Sequence, residues 1–416
     1  MLIEQLSKQK IIREYEKHPR KNNVYIINNC IITGRSSYYP NCLLYSNNKL
    51  ITPYDEKVMS LNKESFYDNN YENLKNSEIK KNKNKNKIKT AVYFFIYNFD
   101  NYYHFIYDTL PYLINFHKLK KELQHLKLLV NYPKKDNKFY KFNTDLFELL
   151  KLEIIIHNDD NEYETLYIAN SLTHGGKSNE KPNDCVYDFF NILKQNCGLG
   201  MVQLKKKIYI SRRTWMKSTN DNIGTNYTLR RKILNEDLIV EILKDNGFDE
   251  IFAEDFALDD KIKLFKNASY IIGAVGGGMC NLLFSSKEAK TLCIVSPDFL
   301  NVNARFKYSM ENTNITYFYD CYHNEYPKIP LYTRVIINDN ISKYYNKIGE
   351  ITKYNEKSEK YEINVSNNDI VGFNSEVKYD VENIEYDKLK LLDNGLNSPF
   401  YIDEIKFRNA LKIFLE

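Results

Sequence analysis

Three segments of this chain concentrate side chains whose types and spacing could do chemistry. In NYYHFIYDTLP (Asn101–Pro111), His104 and Asp108 stand four residues apart, so on a helix they share a face. A carboxylate beside an imidazole fixes its tautomer and strengthens it as a base, which suits a group that binds or deprotonates a hydroxyl. A structural His–Asp pair in a tyrosine-rich core is the alternative. The second segment is Gly273-Ala-Val-Gly276-Gly277-Gly278-Met-Cys-Asn281, which follows the apolar run SYIIGA and opens a predicted helix. Backbone amides in such a turn can approach an anion closely, and a helix N-terminus favours negative charge by ~0.3–1 kcal/mol. The spacing is neither GxGxxG nor GxxxxGK[ST], which excludes a dinucleotide fingerprint and a P-loop. A tight, ligand-free turn is the alternative here.

Arginines form the third group. Arg212 and Arg213 end the run KKIYIS, and Arg230 and Arg231 precede a helix that starts near Asn235-Glu236. A charge-assisted bond from arginine to phosphate contributes ~1.5–3 kcal/mol, so two of them outweigh the helix dipole. The competing readings are solvated surface arginines, with Asn235 as a simple N-cap and Glu236 and Asp237 complementing the dipole.

These residues need elements to position them. Between Lys205 and Pro297, strand-like runs (KKIYISR, FDEIFAE, SYIIGA, TLCIVS) alternate with helical ones (NEDLIVEILKDNG, LDDKIKLFKNA, GGGMCNLLFS). That alternation predicts βαβ crossovers and a parallel sheet, with the arginines and the glycine turn at its carboxyl edge. Gly247 sits where a helix C-cap calls for glycine. The region 91–200 repeats the alternation more loosely, from the buried-strand run AVYFFIY (Ala91–Tyr97) through LKLLVNY, EIIIH and ETLYIAN, with a helix beginning near Tyr102 and another over Asn143–Leu152. Before it, Met1–His18 reads as an amphipathic helix. Val24–Thr33, Cys42–Ser46 and Lys49–Thr52 read as strands, and the lysine- and asparagine-rich Asn73–Thr90 as a solvated loop. Beyond Leu331 five short strands follow (Lys347–Asn355, Glu359–Ser366, Asp369–Phe373, Glu376–Val381, Asn383–Asp387), the pattern of a small antiparallel barrel of SH3-like size. A closing helix, Ile402–Leu415, offers Ile402, Ile405, Ala410, Ile413 and Phe414 to one face. The expected domains are 1–90, 91–200, 201–330 and 331–416.

Composition sets outer bounds. With 416 residues, 43% hydrophobic and 27% charged, the chain is globular and long enough for more than one core. Its net charge of +5 makes no electrostatic demand for nucleic acid. Seven scattered cysteines without CxxC or Cys/His clusters predict neither a disulfide framework nor a zinc site, and fit a reducing, cytoplasmic setting. No apolar run is long enough to span a membrane, and the start lacks a signal peptide's apolar core. The 35 tyrosines beside a single tryptophan, with abundant Asn, Lys and Ile, match AT-rich codon usage and discount many aromatic residues as signals.

The stretches NYYHFIYDTLPYL, KKIYISRR, RRKILNEDLIVEILKDNGFDEI and LDDKIKLFKNASYIIGAVGGGMCNLLF, in this order and spacing, resemble the family-61 glycosyltransferases, in their bacterial or large-DNA-virus form. The likeness runs from about Ala91 to Tyr319 and leaves out the last stretch. It implies an α/β fold of GT-B type, with two facing Rossmann-like domains, here extended by the C-terminal barrel and helix. It also implies inverting transfer from a UDP-sugar, of the N-acetylglucosamine or xylose kind, to a hydroxyl of a glycan or protein, with no cofactor and no essential metal. By that resemblance His104 and Asp108 are the catalytic pair. Arg212, Arg213, Arg231, Asn235, Glu236, Gly276, Gly277, Gly278 and Asn281 would hold the nucleotide-sugar. Val275 stands where eukaryotic members carry histidine, which keeps open a catalytically inactive nucleotide- or glycan-binding module. Acceptor binding, homo-oligomerisation and simple capping are all open for the C-terminal module. The expected setting is the cytoplasm, that of a host (or a virion) for a viral protein.

Overall fold

The computed structural model describes residues 2–5, 10–14, 22–33, 43–46, 49–52, 86–95, 101–131, 138–158, 161–169, 172–173, 180–197, 206–213, 231–297, 299–323, 329, 333–365, 380–391 and 398–416. The chain divides into two compact units, Met1–Val202 with Ala257–Lys263, and Gln203–Phe256 with Leu264–Glu416.

In the first unit the apolar run predicted as a buried strand forms Val92–Phe95, with all four side chains buried. It pairs in parallel with Lys127–Val130, which pairs in parallel with Ile154–Ile156. On its other side it meets the long strand Asn161–Ala169, also in parallel. Asn161–Ala169 then turns the sheet mixed, by pairing antiparallel with Asn23–Thr33. The amphipathic helix expected at the start is replaced by two strands: Leu2–Gln5 lies parallel to Lys49–Thr52, and Lys10–Glu14 antiparallel to Asn23–Thr33. A strand edge presents unpaired N–H and C=O groups, and such tertiary pairing overrides a weak local preference for helix. The end of the lysine/asparagine-rich loop departs likewise, since Asn86–Ile88 pairs in parallel with Asn161–Tyr163. Residues 73–85 of that loop lie outside the described residues.

Helix formation after Tyr102 is irregular. His104–Thr109 is a π-helical turn, Leu110–Tyr112 is 3₁₀, and only Leu113–Lys120 is regular α-helix. Pro111 sits at the joint, and a ring without an N–H cannot continue the α ladder.

The second unit contains a five-stranded, all-parallel sheet in the order Asp249–Ile251, Lys207–Ile210, Tyr270–Ala274, Lys290–Ile294, Asn314–Phe318. This is the doubly wound order 2-1-3-4-5, whose direction of progression reverses between its first and third strands in sequence. The helices Glu236–Asp245 and Leu258–Asn267 connect strands as predicted, and Gly247 ends the first of them at φ 78°. Helix Glu404–Leu415 packs on the same core, since Phe407, Leu411 and Phe414 are buried in one cluster with Tyr209, Ile239, Leu243 and Ile272. The face expected for it is corrected in part, since Ile402, Ala410 and Phe414 do meet this cluster. Ile405 and Ile413 are exposed, at 75% and 73%, because the i, i+4, i+7 stripe runs through Phe407 instead.

The strands after 331 also shift. Arg334–Ile337, Ile348–Asn355, Lys360–Val365, Asp380–Glu385 and Leu389–Leu391 form an antiparallel sheet with its own apolar cluster. A 3₁₀ turn, Tyr386–Lys388, joins the last two, and Leu389–Leu391 returns to pair with Arg334–Ile337. The first and last of these strands were not expected. Asp380–Glu385 joins the end of the predicted Glu376–Val381 to the start of Asn383–Asp387, and residues 376–379 and Asp369–Phe373 lie outside the described residues.

Candidate functional site

The switch point of the parallel sheet lies between Lys207–Ile210 and Tyr270–Ala274, and the segments leaving their carboxyl ends carry the predicted residues. One strand leads into Ser211-Arg212-Arg213 and the other into Val275-Gly276-Gly277. Open α/β sheets bind ligands in such a crevice. A Cβ built on Gly276 would lie 2.7 Å from Arg212 Nη1 and 3.6 Å from Arg231 Nη2. Two guanidinium groups therefore converge on the backbone of this turn, and a side chain at Gly276 would have to displace the tip of Arg212. Arg231 reaches the place from a left-handed backbone conformation, φ 55°, with its guanidinium carbon 4.1 Å from the centre of the Phe299 ring. Such a conformation costs a non-glycine residue of order 1–3 kcal/mol and persists only where surrounding structure enforces it.

The glycine turn does not open an α-helix as expected. Gly277–Phe284 is a 3₁₀-helix of eight residues. Gly278 accounts for its seat, since a Cβ there would come within 3.0 Å of Ile210 Cγ2. Asn281 is fully buried, and its Nδ2 donates to the Gly278 carbonyl at 2.8 Å. The first amides of such a turn have no acceptor within it, so an anion can still be met there by backbone N–H groups.

Adjacent arginines have different surroundings. Arg213 makes two short bonds to Glu250, from Nη2 at 2.7 and 2.6 Å, a third from Nε at 3.0 Å, and a further ion pair to Asp237. These carboxylates hold its guanidinium above its ordinary pKa despite burial. Arg212 is pulled the other way, its pKa lowered by burial and partly restored by Glu236.

Glu236, 2% exposed, gathers three donors on Oε1: the Tyr209 hydroxyl at 2.8 Å, the Ser211 hydroxyl at 3.2 Å and the Arg212 amide at 2.7 Å. Among the described residues its Oε2 has no hydrogen-bond partner. Burial raises its pKa, against the pull of those donors and of the Arg212 charge. Asn235 occupies the N-cap position without capping. Its amide instead donates to the Ile402 carbonyl at 2.8 Å and accepts from the Ile402 N–H at 3.0 Å. Lys232, between Arg231 and this pair, has its pKa lowered by burial to about 8.

The first unit holds the other predicted pair. His104 Nδ1 lies 2.6 Å from Asp108 Oδ2, as the four-residue spacing requires, and Asp108 is 2% exposed. The second carboxylate oxygen accepts from the Thr173 hydroxyl at 2.9 Å. Thr173 had no sequence signal: it is a lone threonine 65 residues away. A carboxylate facing Nδ1 favours the tautomer protonated there, which leaves Nε2 as the accepting nitrogen. Asn101 holds the start of the segment, its Oδ1 accepting from the His104 amide at 3.2 Å.

Among the described residues, no group of three His, Cys, Asp or Glu side chains is placed to hold a metal ion. No helix among them is long and apolar enough to cross a membrane. Of the seven cysteines, the six whose side chains are described stand outside any disulfide. Residues 102–293 match the family model described as Glycosyltransferase 61, a span that includes His104, Asp108, both converging arginines and the glycine turn. No curated protein is similar enough to the chain to count as a match. The family match makes the chain an enzyme that transfers a sugar from a donor to an acceptor.

Proposed function

We propose that this glycosyltransferase is an inverting, metal-independent enzyme of GT-B type that takes its sugar from a UDP-sugar and delivers it to a hydroxyl of a glycan or protein. The observation that carries the reading is the convergence of Arg212 and Arg231 on the backbone of Gly276 at the switch point of a parallel sheet. Two fixed cations and a row of backbone amides suit a diphosphate, and they stabilise the charge that grows on it as the sugar leaves. That assignment gives the leaving group its stabilisation from the chain's own residues rather than from a metal. His104, with Asp108 and Thr173 fixing its tautomer, would take the acceptor's proton at Nε2. The C-terminal antiparallel sheet, read as an SH3-like barrel, would serve acceptor or partner binding. The cytoplasm is the proposed setting.

The test is thermal stability of the purified protein against UDP, GDP, dTDP, NAD and a panel of UDP-sugars, first without metal and then with manganese. A ligand at 100 times its dissociation constant adds ~2.7 kcal/mol to the state that binds it. Stabilisation by UDP and one UDP-sugar without metal is the expected result and names the donor. A response to dTDP or GDP alone would replace the uridine assignment. A response that needs manganese would overturn metal independence.

A further inference from the structure

Asn235 and Glu236 are neighbours in sequence, and their side chains bind different parts of the protein. Glu236 Oε1 fastens the end of Lys207–Ile210, through Tyr209, Ser211 and the Arg212 amide, to the first turn of helix Glu236–Asp245. Asn235 clips the backbone of Ile402 in both directions. Ile402 belongs to a short segment that runs beside the residues following Arg231. The Phe400 amide donates to the Lys232 carbonyl at 2.9 Å, the Leu234 amide donates to the Phe400 carbonyl at 2.8 Å, and Ile233 and Phe400 form a parallel bridge. Ile233, Phe400 and Ile402 are all buried in one cluster with the helix Glu404–Leu415. The backbone that must hold Arg231 at φ 55° is thus strapped by residues about 170 positions later, outside the family match.

We infer that Asn235 and Glu236 are positioning residues for the two converging arginines, and that the C-terminal strap Phe400–Ile402 is a working part of the donor site. Glu236 sets where Arg212 leaves its strand, and Asn235 together with the strap sets the left-handed turn that aims Arg231. The inference rests on the donor reading above. Neither side chain needs to touch the ligand, and displacing a binding group by about 1 Å through a remote change can cost on the order of 100-fold.

The test is calorimetric titration of UDP into the full-length protein and the variants Arg212→Ala, Asn235→Ala, Glu236→Ala and Glu236→Gln, each checked for a cooperative melt. Arg212→Ala reports on the donor reading. Asn235→Ala and Glu236→Ala should each weaken UDP about tenfold or more, whereas Glu236→Gln, which keeps the accepting oxygen, should stay within about threefold. A merely structural role would lower the melting temperature without this split between Gln and Ala. If Glu236→Ala does not fold, the double variant Tyr209→Phe, Ser211→Ala removes two of the three donors and should weaken UDP in its place. Should Arg212→Ala abolish binding while Asn235→Ala and Glu236→Ala titrate like wild type, the positioning inference falls and the donor reading stands. Equal loss in Glu236→Gln and Glu236→Ala would mean that the charge itself serves the ligand, and would also overturn it. Wild type and Arg212→Ala binding UDP alike, or not at all, would remove the donor reading and the inference with it.

Discussion

Both candidate centres are built around a buried carboxylate, Asp108 in one unit and Glu236 in the other, each 2% exposed. They spend it differently. Asp108 divides its oxygens between the His104 ring and the Thr173 hydroxyl, so it acts on a candidate side chain directly. Glu236 places three donors on one oxygen, among them a backbone amide, and acts on Arg212 through the main chain. Under the proposed function, the carboxylate that touches the imidazole would govern the rate of the chemical step, and the one that holds a strand end would govern where Arg212 sits and so the affinity for the donor.

The comparison can be broken most decisively at His104. His104→Ala should lower kcat by ~10²–10⁴-fold while UDP binding is unchanged, because general-base catalysis is worth about that much. Unchanged turnover would return the histidine to the core. Next in size, Arg231→Ala should raise the UDP dissociation constant ~10- to 100-fold, the loss of one charge-assisted bond, with calorimetry as the check. If kcat fell and affinity did not, the two centres would have exchanged roles.

Thr173→Val should cost less, roughly three- to tenfold in kcat, by removing one neutral hydrogen bond from Asp108. Thr173→Ser should restore the rate, which distinguishes orientation of Asp108 from simple packing. The smallest effect concerns stability against pH. Glu236 has its pKa raised in the folded protein, so between about 4.5 and that higher value the folded state binds more protons than the unfolded one. Stability from this group should therefore fall as pH rises through that window. Denaturation of Glu236→Gln across the same range should lack the slope; an identical slope would place the raised pKa elsewhere.

Much of the architecture around these centres was legible in the sequence, because short-range periodicity carries it. The alternation from Lys205 to Pro297 predicts four strands of the parallel sheet though not its edge strand Asn314–Phe318, Gly247 marks a helix end, and the spacing of His104 and Asp108 accounts for their contact. What stayed hidden depended on distant residues. Thr173 reaches Asp108 only through the fold, and Asn235 looks like an N-cap until Ile402 returns to take its amide. Ile405 and Ile413 looked core-facing by hydrophobicity alone, but the cluster that receives the helix selects Phe407, Leu411 and Phe414. The starting residues followed the same rule, since available strand edges made strands of a segment with helical periodicity. Position at the strand end does not separate Arg212 from Arg213, although the family resemblance matches Arg212 and Arg231 to the arginines near the diphosphate. Glu250 and Asp237, brought beside Arg213, show which arginine is held in an ion-pair network and which is aimed at the glycine turn.

That separation offers the most direct test of the account: parallel titrations of UDP into Arg212→Ala and Arg213→Ala. A diphosphate site at Arg212, Arg231 and Gly276 predicts a dissociation constant raised at least ~10-fold in Arg212→Ala and changed by less than about threefold in Arg213→Ala. Equal losses in the two variants, or the greater loss in Arg213→Ala, would contradict it.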